Sequence, residues 1–148
     1  EFQRSPLQKD NIKAFKKLKK LIQDKKYDLI HTHTPVASAC VRLACKNLEN
    51  VKVFYTAHGF HFYKGAPTKN WLIYYPIERY LSKYTDVIIT INNEDFERAR
   101  KKLKANSVEY IPGVGLDISK FKENKIDKLS IRSKLGLPED SFVVLSVG

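Results

Sequence analysis

Asp86-Val87-Ile88-Ile89-Thr90-Ile91-Asn92-Asn93-Glu94-Asp95-Phe96 is the stretch on which the fold turns. The β-branched run Val87-Ile88-Ile89 marks a strand over Asp86–Ile91. Asn92 is a good helix N-cap, and Asp95 three residues on suits a capping box. The helix that follows carries Phe96, Ala99 and Leu103 as its inner stripe. A strand that passes directly into a capped helix is the repeating step of an α/β sheet.

The same alternation runs outward in both directions. Upstream, Ile12, Phe15, Leu18 and Leu21/Ile22 recur at helical spacing in a Lys-rich segment that ends near Lys26. Tyr27–Thr32 reads as a strand, Pro35 opens an Ala/Val/Leu-rich helix to about Asn47, and Val51–Thr56 is the next strand. Ala57–Lys69 is a loop broken by Gly59, Gly65 and Pro67. Asn70–Lys83 is an aromatic helix, interrupted or kinked at Pro76. Downstream, Val108–Ile111 is a short strand stopped by Pro112-Gly113, and a charged linker follows over Lys122–Lys128. Leu129–Leu135 is a short helix, and Phe142–Val147 a fifth strand. This pattern predicts an open, mostly parallel α/β sheet with flanking helices. Ligands in such sheets sit beyond the carboxyl ends of the strands. That rule selects the loops His31–Pro35, Thr56–Pro67, Ile91–Asn93 and Pro112–Asp117.

Composition narrows the function. The chain has 148 residues, 43% hydrophobic and 29% charged, which excludes a disordered tail, a collagen-like chain or a disulfide knot. No apolar run approaches the ~18–20 residues of a membrane helix, and Glu1–Pro6 does not resemble a secretory signal. With 27 Lys+Arg against 16 Asp+Glu, the net charge of +11 predicts an anionic partner: nucleic acid, a membrane surface or a phosphorylated substrate. The chain contains no Met and stops on an apolar strand, so it reads as a piece of a longer protein. Cys40 and Cys45 fall on different helix faces, which predicts reduced packing cysteines and a cytoplasmic protein.

The four histidines form two pairs, His31 with His33 and His58 with His61, all at or just past strand ends. No Asp, Glu or Cys joins them in either loop, which argues against a metal site. His31 lies within its strand and is expected to pack or bond locally. His58, next to a Gly that allows close approach, is expected to face substrate, and His61 between two Phe to be structural. The aromatic segment Phe60–Pro67 suits either a binding surface or a loop packed on the sheet's end, whereas Trp71, Tyr74 and Tyr75 read as helix core. No Walker, G-x-G-x-x-G or G-x-S-x-G pattern is present. The Lys-rich first helix comes without a nucleic-acid-binding motif, so nucleic acid is a poor fit and a membrane surface or a lipid-pyrophosphate acceptor explains the charge at least as well.

Several segments are familiar together. Tyr27-Asp28-Leu29-Ile30-His31-Thr32-His33-Thr34-Pro35 resembles the "DIIHxHxP" segment of family-4 glycosyltransferases. Thr56-Ala57-His58-Gly59 resembles their "T-x-H-G", and Ile111-Pro112-Gly113-Val114-Gly115-Leu116-Asp117 their "IPNGVD" turn, with Gly113 where relatives commonly have Asn. Asp86–Asn92 fits the strand before their helix cap, and His58–Pro67 followed by Asn70–Glu78 looks like the bacterial branch that builds capsular and exopolysaccharides. The motifs fall in family order across nearly the whole chain.

The resemblance implies a Rossmann-like sheet forming the later part of a GT-B N-terminal, acceptor-side domain. Residues 1–119 would belong to that domain, and 120–148 to the interdomain linker and the first strand of a C-terminal domain. It implies sugar transfer from a nucleotide-sugar to a saccharide or lipid-linked acceptor, with retention of configuration and no metal or other cofactor. His58 matches the position that contacts the transferred sugar, and Gly59 belongs to the same motif. His33 and Thr34 would shape the acceptor pocket, Gly113, Gly115 and Asp117 would line the hinge side of the cleft, and Lys64 would contact phosphate. The E-x7-E donor motif would lie past Gly148, so the chain alone is expected to be inactive. A peripheral position on the inner face of the cell membrane is compatible with the charge. The reading from another class is a non-catalytic nucleotide- or nucleic-acid-binding module. Finally, Leu29–Thr32 is expected to be an open apolar edge, covered by Phe142–Val147 of the same chain or of a neighbour in a truncation-induced dimer.

Overall fold

The computed structural model describes residues 9–113, 115, 117, 119 and 127–144. The chain divides into two compact units, Glu1–Val114 and Gly115–Gly148. The first contains β1 (Leu29–Thr32), β2 (Lys52–Ala57), β3 (Val87–Thr90) and β4 (Ser107–Tyr110), paired in that order and all parallel. Helices α1 (Lys9–Lys25), α2 (Pro35–Cys45), α3 (Thr68–Leu81) and α4 (Asn93–Lys102) precede or join the strands. The expected open parallel α/β sheet is therefore present.

Sequential strand order with right-handed crossovers stacks α2, α3 and α4 on one face of the sheet. Two apolar clusters fill that layer. Ile22, Val41, Ala44, Cys45, Val51 and Val53 join α1 and α2 to β2, and Tyr55, Ala57, Phe60, Phe62, Ile88 and Ala99 join α4 and the loop after β2 to the sheet. The registers Ile30–Val53 and Tyr55–Ile88 put these inward residues side by side. The all-parallel ladder directs every strand's carboxyl end to the same rim, and this positions the site.

Four expectations are corrected. On α1 the buried stripe is Asn11, Phe15, Leu18 and Ile22, while Ile12 and Leu21 are exposed, because the helix presents its i, i+4, i+7, i+11 row to α2. Helix α3 is not interrupted at Pro76 but runs through it as one element, and it closes in a single 3-10 turn over Ser82–Tyr84. Pro76 is exposed, so water can take the Leu72 carbonyl that the missing N–H leaves unbonded. The fifth strand is not formed over Phe142–Val144, where Phe142 is 93% exposed and without a ladder partner; the rest of that segment lies outside the described residues. β1 accordingly remains an edge strand among the described residues, with Leu29 exposed, and no strand of the chain covers it there. In the second unit, α5 (Lys128–Lys134) is capped by the Asp127 carboxylate, which accepts the N–H groups of Leu129 and Ser130.

Candidate active site at the carboxyl ends of the strands

Two loops at the rim bring histidines together. His33 follows β1 and His58 follows β2, and their Nδ1 and Nε2 atoms lie 3.3 Å apart. The His31 ring lies against that of His33, tilted by 40° with centroids 4.4 Å apart, and its Nε2 is 2.8 Å from Thr56 Oγ1. Adjacent parallel strands make this possible, since β1 and β2 end side by side. The His31 imidazole is held below its ordinary pKa by desolvation and then by the neighbouring His33. His61 is not part of the cluster. Its ring lies 4.6 Å from that of Tyr74, and its carbonyl accepts the Asn70 side-chain amide. Among the described residues no three His, Cys, Asp or Glu side chains are arranged to hold a metal ion.

Beside the histidines, a cavity of about 630 Å3 opens between α2 and α3. Its walls are mainly apolar, including Pro35, Val36, Phe60, Tyr74, Ile77 and Leu81. Its lining also holds Arg42 and Glu78, a bidentate ion pair at 2.5 and 3.2 Å. The Arg42 side chain is 0% exposed and that of Glu78 11%. The pair is satisfied further by Arg42 Nε donating to the Ser38 carbonyl and by the guanidinium lying 4.4 Å from the centre of the Tyr55 ring. Burial, then the Glu78 carboxylate, pushes the Tyr55 hydroxyl well above its ordinary pKa, so it stays neutral. Neither Arg42 nor Glu78 was among the candidate site residues read from the sequence. A signal was present: Arg42 is the sole charge in Pro35–Cys45, and Glu78 the sole acid in Thr68–Leu81.

The loop that carries His58 is clasped to α4. Asn92 caps the helix by accepting the Asp95 N–H, as the sequence predicts. The Asp95 carboxylate accepts the Phe60 N–H at 3.1 Å and the Asn92 amide at 2.8 Å, and Glu94 accepts the Lys64 N–H at 2.7 Å. Arg98 bonds both carboxylates and lies over Trp71. Phe60 and Phe62 are buried and stacked, with Trp71 and Tyr75 against Phe62. The aromatic segment is thus mostly core packed at the sheet's end. Tyr74 departs from the core expectation, since it is exposed and lines the cavity.

The remaining candidate residues divide by position. Thr34 is the N-cap position of α2 and lines the cavity with Gly59. Gly59 has φ +151°, and a Cβ there would meet nothing within 4 Å, so its requirement is conformational. Lys64 is exposed and lies outside the cavity lining. Gly113 follows β4 with φ +72°. Gly and Asn are the residues that enter this region at least cost, so Gly113 keeps the backbone turn of the motif without the amide. Gly115 and Asp117 belong to the second unit, where the Asp117 carboxylate accepts the Ser119 N–H at 3.0 Å.

The family model described as "Glycosyl transferase 4-like" matches residues 1–92. EpsD of Bacillus subtilis (strain 168), whose name proposes a glycosyltransferase, is 44% identical over 146 residues, 96% of this chain and 38% of its own length. The UDP-Gal:alpha-D-GlcNAc-diphosphoundecaprenol alpha-1,3-galactosyltransferase of Escherichia coli is 33% identical over 93% of this chain and 36% of its own. TuaC of Bacillus subtilis (strain 168), whose name proposes a glycosyltransferase of teichuronic acid biosynthesis, is 28% identical over 82% of this chain and 30% of its own. The chain spans little more than a third of the length of the relatives it matches.

Proposed function

The chain belongs to the glycosyl transferase 4-like family, and from that premise we propose that it forms the acceptor side of a retaining glycosyltransferase of cell-envelope polysaccharide synthesis. The donor is a nucleotide-sugar, and the acceptor a saccharide on a lipid diphosphate. The observation that carries this reading is the meeting of His33 and His58 at the rim, 3.3 Å apart, from two separate motif segments. The likeness to a relative named for a diphosphoundecaprenol-linked acceptor supports the acceptor class.

In this reading His58 contacts the sugar at the reaction centre. Positive side chains and backbone N–H groups stabilise the departing nucleotide diphosphate, which is charge stabilisation at the transition state. The acceptor hydroxyl attacks the anomeric carbon on the face the diphosphate leaves, and the diphosphate departs with the bonding electron pair and takes up the hydroxyl proton. His33 and Thr34 border the acceptor, Lys64 supplies positive charge from the loop, and Gly113, Gly115 and Asp117 form the hinge side. The test is sugar transfer by the full-length enzyme that carries this chain, against a panel of nucleotide-sugars with a short-chain lipid-diphosphate saccharide. His58→Ala should lower kcat by roughly 10²–10³ with the fold intact. An unchanged turnover number would return His58 to a packing role.

A further inference from the structure

Helices α3 and α4 leave a cleft of about 570 Å3 between them, apart from the α2–α3 cavity. One wall is aromatic. Trp71 and Tyr75 stand one turn apart on α3, both half-buried, and their rings lie 5.7 and 5.4 Å from that of Phe62, which is 1% exposed. The other wall is polar. Asn93, Glu94, Glu97, Arg98, Lys101 and Lys102 fall along one face of α4. The cleft begins beside the loop that carries His58, since Glu94 also accepts the Lys64 N–H. The helical rise from Asn93 to Lys102 gives it a length of about 14 Å.

Much of the charge on the polar wall is paired within the chain. Arg98 holds Glu94 at 2.6 Å and Asp95 at 3.3 Å, and Glu97 takes Lys101 at 2.9 Å and Arg100 at 3.2 Å. Other groups on the cleft are not. The Trp71 Nε1–H, the Tyr75 hydroxyl, the Asn93 side-chain amide and the Lys102 ammonium have no hydrogen-bond or ion-pair partner among the described residues. Fixed rings beside unpaired donors suit a ligand with an apolar face and a rim of oxygens. A pyranose has this form, with C–H groups on its face and hydroxyls at its edge. Arg98 lies over Trp71 at 5.2 Å, so the ring left to stack a sugar is Tyr75, with Trp71 supplying its N–H. The unpaired charge is positive, which favours a sugar with a carboxylate for Lys102. The volume falls within the roughly 300–1,000 Å3 of small-molecule sites.

We propose that the α3–α4 cleft is a saccharide subsite, separate from the rim where His33 and His58 meet, and that it takes an acidic sugar unit of an oligosaccharide. The proposal stands on the cleft and not on sugar transfer. Saccharide binding without a nucleotide-sugar therefore tests it apart from the activity.

The experiment is calorimetry of the full-length enzyme that carries this chain, titrated with cellobiouronic acid (glucuronic acid linked to glucose) and with cellobiose as the neutral counterpart. The acidic disaccharide should bind roughly tenfold more tightly than cellobiose, the difference between a charge-assisted and a neutral hydrogen bond. Lys102→Gln should erase that preference and leave cellobiose binding unchanged. Tyr75→Leu should weaken both by about tenfold, since the stacking ring is lost. Circular dichroism checks its fold, and Asn93→Ala/Lys102→Gln, at two exposed positions, decides the matter if Tyr75→Leu does not fold. His58→Ala should bind both disaccharides as the wild type does, which sets this site apart from the rim. Undiminished binding of the acidic disaccharide by Asn93→Ala/Lys102→Gln would overturn the proposal. A loss confined to His58→Ala would overturn it too and put the saccharide at the rim. Equal affinity for the two disaccharides, or no binding of either, would have the same force.

Discussion

His33 Nδ1 and His58 Nε2 share a contact of 3.3 Å, although the two residues lie 25 positions apart in the chain. A hydrogen bond between two imidazoles requires a proton on one facing nitrogen and none on the other. The contact therefore couples the tautomers of the two rings and turns the other nitrogen of His58 away from His33. His33→Ala should change the tautomer balance of His58, read from its ring nitrogen shifts by NMR. It should also lower kcat by about tenfold, less than His58→Ala, because the ring is left in place without its partner.

The Arg42–Glu78 pair should dominate the energetics of the layer between α2 and the sheet. Glu78→Gln or Arg42→Met leaves the other charge buried without its partner, and urea unfolding should show a loss of about 3–5 kcal/mol. Arg42→Met/Glu78→Leu together should cost distinctly less than either single change. A double-variant loss equal to the sum of the two single losses would mean the charges are not coupled.

The clasp between Asp95 and Phe60 makes a local prediction. Asp95→Ala removes an acceptor that is 3% exposed and strands the Phe60 N–H. Stability should fall by about 2 kcal/mol. Hydrogen exchange should accelerate at Phe60 and Lys64 before it does in β2 or β3.

His31 gives the sign of one pH effect. Its folded pKa lies below the ordinary value of about 6.5, so the unfolded chain binds the proton more readily. Stability from this group is complete above that value and declines as pH falls through it toward the depressed folded pKa. Thermal unfolding between pH 7.5 and 5, in steps of about half a unit, should show a shallower decline in His31→Gln than in the wild type.

Cys45 should be chemically quiet. Burial pushes its thiol up to about 11, and it raises Cys40 as well, so thiolate is scarce at neutral pH. A disulfide reagent at pH 7.5 should label native Cys45 much more slowly than Cys40, and both at once after unfolding.

The elements and their parallel order were legible because each strand is short, apolar and followed by a helix signal, as at Ile88-Ile89-Thr90 and Asn92. The helix ends shifted by one or two residues, as capping competes with fraying. The site was half legible. His33 and His58 could be placed at strand ends, but their contact depends on which strands are neighbours, and no local pattern states that. Arg42 and Glu78 were overlooked because they come from different helices, and their meaning appears only when α2 and α3 pack over Tyr55. Phe142–Val144 misled because an apolar run has strand propensity whether or not a partner strand is beside it.

The order of the strands along the sheet also has a meaning in time. Each strand pairs with the one made just before it, and the register partners Leu29 and Lys52, Phe54 and Val87, and Val87 and Ser107 are never more than about three dozen residues apart. Every closure is therefore a short one, and the layer can grow from β1 toward β4 in the direction of synthesis. The rim is completed in the same sequence: His33 is in place first, His58 closes on it when β2 adds, and the loop between them and α4 is fastened only after Asn92 and Asp95 have emerged.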